Sequence, residues 1–75
     1  MAVIVFYETS PVDRLQLSES LRNTDHYWTY ESGPITESNI NPNAEVISVF
    51  MGSKVTKEIM SQMPRLTLIT VRASD

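Results

Sequence analysis

Apolar residues gather in four short runs separated by polar segments, and this spacing predicts the architecture. Ala2–Phe6 and Val46–Phe50 are continuous and rich in β-branched residues, as strands covered on both faces of a parallel sheet are. Tyr27–Glu31 alternates instead, with Trp28 and Tyr30 on one face and Tyr27, Thr29 and Glu31 on the other. A strand polar on one face suits the edge of a sheet. Leu66–Val71 is the last run, apolar and uncharged until Arg72.

The intervening segments carry helix signals. Ser10-Pro11 places an N-cap before a proline at the first helical position, and Asp13 complements the dipole in the first turn. That helix is expected to run to about Asn23, with Leu17 and Leu21 on its buried side and Leu15 flanking. Tyr7, Glu8 and Thr9 are expected to leave the sheet before it. Thr56 caps a second helix whose Ile59, Met60 and Met63 fall on one face, and Pro64 stops it. Ser32-Gly33-Pro34 reads as a turn. Thr36–Ile40 reads as one short helical turn ended by Asn41-Pro42-Asn43.

Strands alternating with helices imply parallel βαβ units with right-handed crossovers. The order 2-1-3-4 places the two most apolar strands in the middle. The expected fold is therefore α/β, a small flavodoxin-like three-layer unit. Its parallel four-stranded sheet has helices on both faces, in one domain over residues 1–75. The same order leaves Leu66–Val71 as an uncharged edge, which invites pairing with another chain. A homo-oligomer is expected, by edge pairing or by exchange of an element.

Composition narrows the function classes. A 75-residue chain buries only about 60% of the surface its unfolded form exposes, so small domains often need a further support. The sequence has no cysteine and one histidine, His26, which removes disulfides and thiolate or imidazole metal clusters from consideration. Net charge is −3, and the six Lys and Arg residues are dispersed rather than gathered into the basic stripe that nucleic-acid binding needs. The apolar runs are far shorter than the roughly 18 residues of a membrane span, and no signal-peptide pattern opens the chain. The expectation is a soluble cytoplasmic protein that binds neither nucleic acid nor membrane.

Two stretches carry a family resemblance: FYETSP, Phe6 to Pro11, and AEVISVFMGSKVTKEIMSQMPRLTLITVR, Ala44 to Arg72. Their strand with an acidic residue, Ser-Lys-Val-Thr-Lys-Glu helix start, and Met-Pro-Arg-Leu leading into a strand are similar to the opening region of D-isomer-specific 2-hydroxyacid dehydrogenases of the D-lactate dehydrogenase type. The spacing holds from Ala2 to Arg72. The resemblance implies the first half of a flavodoxin-like substrate-binding domain. The family's catalytic arginine, glutamate and histidine and its glycine-rich cofactor loop have no matching positions here, and with only Gly33 and Gly52 a G-x-G-x-x-G loop cannot be built. By alignment with the family, Phe50 matches an aromatic or apolar residue that lines the substrate pocket in some members. The chain as it stands is thus expected to be non-catalytic and without a cofactor. It reads as a stand-alone oligomerising interaction module, or as a truncated piece of an NAD-dependent enzyme.

The alternative is a small-ligand binder. In open α/β sheets ligands sit beyond the carboxyl ends of the strands where the order reverses, which brings Tyr7, Glu8, Thr9 and Ser10 beside Phe50, Met51, Gly52 and Ser53. That crevice would take an anionic metabolite, with the Ser10 helix offering amides. Against this, Thr9 and Ser10 read as turn and cap, and Phe50 and Met51 as packing. Glu8 reads as a solvated carboxylate rather than a general base, and His26 as a surface histidine. The interface candidates are Trp28, Tyr30, Leu66, Leu68 and Thr70. For the two aromatics, packing against a helix competes equally with a partner surface.

Overall fold

In a computed structural model, residues 2–72 are described. They form β1 (Val3–Phe6), α1 (Pro11–Leu21), β2 (Tyr27–Tyr30), β3 (Val46–Val49), α2 (Lys57–Ser61) and β4 (Leu68–Val71). The sheet is four-stranded and entirely parallel, in the order β2-β1-β3-β4. Both the α/β class and the strand order expected from the apolar pattern are therefore present. Val5 pairs with Thr29 on one side and Ile47 on the other, and Ile47 pairs in turn with Ile69.

Alternation divides each strand between two faces. Val5, Tyr7, Ile47 and Val49 point to one face and join Ile35, Ala44, Ile59 and Met63 in a single buried cluster. Half of the layer over this face is α2. The other half is the irregular segment 31–45, whose Ile35, Ile40 and Ala44 do the covering that a helix does elsewhere. Val5, Tyr7, Ile47 and Met63 are sealed from solvent, so truncating any one of them to alanine removes transfer energy and leaves a cavity, a cost of about 2–5 kcal/mol.

The other face is thinly covered. α1 buries no residue completely and is held mainly through Tyr30. The Tyr30 ring lies 5.7 Å from the Phe6 ring, with the Arg14 guanidinium 5.7 Å from its centroid. Its hydroxyl lies 2.6 Å from the Ser18 hydroxyl and donates to the Arg14 carbonyl at 3.1 Å. Leu17 and Leu21 are half-buried, whereas Val12 and Leu15 are exposed.

Several boundaries differ from expectation for identifiable reasons. Tyr7 does not leave the sheet: its amide donates to the Ser48 carbonyl at 2.8 Å, and its side chain is in the core with the hydroxyl donating to the Asn39 carbonyl. The departure comes one residue later, at Glu8. α1 ends at Leu21 rather than near Asn23 because the Thr24 amide and hydroxyl both donate to the Leu21 carbonyl. Thr36–Ile40 is not helical. The Asn39 side chain accepts from the Thr36 amide and donates to the Pro34 carbonyl, claiming backbone groups that a helical turn would use. β4 starts at Leu68, because Leu66 turns inward against the core and the Thr67 amide closes on the Glu45 carbonyl. α2 ends at Ser61, so Met63 is buried beyond the helix; within it Ile59 is buried and Met60 is exposed.

Candidate functional site

The carboxyl ends of β1 and β3 meet as the strand order requires, and they bring Glu8 against the turn that follows β3. One Glu8 oxygen, Oε2, accepts from the Phe50 amide and the Ser53 hydroxyl, both at 2.8 Å. The other, Oε1, accepts from the Gly52 amide at 3.0 Å. Ser53 relays the contact onward, since its Oγ accepts from the Ile35 amide at 3.0 Å. Glu8 is the one non-glycine residue with positive φ among the described residues, at 58°. A left-handed backbone at such a residue costs about 1–2 kcal/mol, and the three hydrogen bonds to its side chain hold it there. Gly52 gives the carboxylate room: a Cβ at that position would lie 2.5 Å from Glu8 Oε1 and oblige the side chain to shift.

Arg72 completes the rim. From the end of β4 its side chain reaches the end of β1, where Nη2 donates to the Tyr7 carbonyl. Its Nε is buried with no partner among the described residues. Desolvation pushes the Glu8 carboxyl up, but the Ser53 hydroxyl, the Phe50 and Gly52 amides and the Arg72 charge outweigh it and hold the group below the ordinary glutamate value. Asp13 is held low as well, by the Ser10 amide and hydroxyl first and by Arg72 last. The Arg72 charge thus favours the ionised form of both carboxylates. Arg72 also lines an open cavity of about 270 Å³ with Asp13, Gln16, Leu17 and Ser20 of α1.

Comparisons with protein-family models, with characterised proteins and with solved structures return no match.

The structure brings the crevice residues together but changes what several of them do. Glu8, expected in solvent, is the central acceptor of the rim. Both its oxygens are engaged, so it is not poised as a general base. Ser10 is the N-cap of α1 in a reciprocal capping box, its Oγ accepting from the Asp13 amide at 3.2 Å while Asp13 accepts from the Ser10 amide at 3.0 Å. Thr9 is buried, its hydroxyl donating to the Glu31 carbonyl and accepting from Arg14 Nε. Met51 points into solvent, 75% exposed. His26 is half-buried, and its Nδ1 accepts from the Ala2 amide at 3.0 Å. Among the described residues no group of His, Cys, Asp or Glu is placed to hold a metal ion, and no helix is long and apolar enough to cross a membrane.

The interface candidates separate. Trp28 and Tyr30 are half-buried beneath the α1 side, and Leu66 packs against the core. Leu68 is 52% exposed, and Ile69 and Val71, not singled out from the sequence, are 37% and 62% exposed. Arg72 was also missed as a site residue. Its partner lies 65 positions earlier in the chain, a separation no local pattern encodes.

Proposed function

We propose that this chain is a non-catalytic interaction module that associates with a second copy of itself through the outer edge of β4. The observation that carries the reading is the chemistry of that edge. The Leu68 amide donates inward to the carbonyl of Glu45, just before β3, and the Arg72 amide to that of Val49, so the alternation of a strand turns the N–H and C=O groups of Ile69 and Val71 outward, where no strand among the described residues pairs with them. The side chains flanking this edge are apolar and exposed on both faces of the sheet. Soluble proteins protect such an edge with lysine, proline, a bulge or a covering element, and Leu68–Val71 has none of these residues. A two-fold axis beside β4 would pair the strand with itself in antiparallel fashion and continue the four-stranded sheet into its copy.

The dehydrogenase resemblance supports a unit of this topology and adds no chemistry to it. The crevice as an open anion site loses ground, because the chain's own carboxylate fills it.

Light scattering coupled to size exclusion tests the reading. The unaltered protein should elute as a dimer whose population falls on dilution. The pair Ile69→Lys and Val71→Lys should elute as a monomer with an unchanged circular-dichroism spectrum, since Val71 is mostly exposed and Ile69 partly so, within reach of solvent for a lysine head group. A monodisperse monomer for the unaltered chain at high micromolar concentration would sink the proposal.

A further inference from the structure

The donors around Glu8 form a recognisable set when the side chain is set aside. Two amides and a hydroxyl, from Phe50, Gly52 and Ser53, converge on the two oxygens of one carboxylate at 2.8–3.0 Å. Successive turn amides arranged around an anion make a concave nest with a fixed positive potential. Gly52 leaves the opening clear, and Ser53 is anchored from behind by the Ile35 amide. The occupant, by contrast, is held in an unfavourable backbone conformation. A glutamate at that position is suited to the nest and not to its own backbone.

We propose that the turn from Phe50 to Ser53 is a carboxylate-binding site, and that Glu8 is its built-in occupant, tethered in place of a free small carboxylate. The side chain acts as an intramolecular competitor. Its tether supplies a high effective concentration, so an external carboxylate reaches the donors only when Glu8 is removed or displaced. The site is independent of the β4 edge and would exist in a monomer.

Glu8→Gly empties the nest and relieves the left-handed strain at once, because glycine adopts positive φ without a steric penalty. Formate, the smallest carboxylate, is the probe. In Glu8→Gly the melting temperature should rise with sodium formate relative to sodium chloride of equal ionic strength, by roughly 6–11 °C at about ten times the dissociation constant. The unaltered protein should show no formate-specific rise. The double variant Glu8→Gly/Gly52→Ala should show none either, because the added methyl projects to where the carboxylate oxygen sits. If Glu8→Gly is unfolded in buffer, the titration is followed by circular dichroism, and formate should restore the folded signal where chloride does not. Equal responses to formate and chloride in Glu8→Gly overturn the proposal, as does an equal formate response in the double variant.

Discussion

Tyr7 offers the sharpest quantitative test of the core. Its ring is sealed at the end of β1 and its hydroxyl donates to the Asn39 carbonyl at 3.0 Å. Burial first, and the negative charge of Glu31 second, push its pKa from 10.0 up to about 12. The folded state therefore keeps its proton where the unfolded chain has lost one. The resulting stability is fully present below pH 10.0 and is lost as pH rises towards about 12. At 1.36 kcal/mol for each pH unit of difference, the loss reaches about 1.4 kcal/mol near pH 11 and roughly 2.3 kcal/mol near pH 12. Tyr7→Phe removes the titration and one hydrogen bond, which costs about 1 kcal/mol at neutral pH. The two stability curves should consequently cross between roughly pH 10.5 and 11, the unaltered protein being the more stable below and the phenylalanine variant above. Urea denaturation at stepped pH measures both, and other titrations are common to the pair and cancel in the difference. Parallel curves from pH 8 to 12 would show that Tyr7 ionises as freely in the folded chain as in the unfolded one, and the account of its burial would fail.

Other expectations follow from local geometry. Ser10→Ala removes the hydroxyl half of the α1 capping box, leaving the Asp13 carboxylate on the backbone amide of position 10, and should cost about 1 kcal/mol, a fall in melting temperature of roughly 4–8 °C; an unchanged melting temperature would mean that α1 frays at no cost. The two glycines should respond oppositely to alanine. At Gly33 an added Cβ meets nothing within 4 Å and φ is not positive, so Gly33→Ala should leave stability unchanged or raise it by about 0.4–1 kcal/mol. At Gly52 the same methyl strikes the Glu8 carboxylate. Gly52→Ala should lower the urea midpoint, and a neutral result there would contradict the seating of Glu8.

What the sequence made legible was whatever is decided locally. The apolar runs at β1 and β3, the caps at Ser10 and Thr56 and the polar face of β2 each act within a few residues, and together they were enough to order the sheet. The Thr36–Ile40 helix failed because a cap-like threonine and an Asn-Pro stop are equally compatible with a turn held by Asn39. The rim of the site was not legible for a different reason. Glu8 meets its donors 42 to 45 positions away and Arg72 meets Tyr7 at 65. Before the fold exists, a glutamate and an arginine at such separations look like ordinary solvated charges. The left-handed backbone at Glu8 is likewise a product of its tertiary contacts, since nothing in the local sequence asks for it.

The reach of Arg72 to Tyr7 has a consequence for how the chain comes to fold. β1 is synthesised first, yet it occupies the middle of the sheet and waits for partners that emerge much later. The strand that closes the rim, β4, follows all three of the others in the chain. A chain still on the ribosome, with β4 inside the exit tunnel, would lack its fourth strand and the arginine that ties the end of β4 to the end of β1. Stability should therefore arrive late and abruptly rather than accumulate as the chain lengthens. Parallel pairings across such separations also place folding toward the slow end for domains of this size. During that interval the apolar β1 is the segment most in need of shelter.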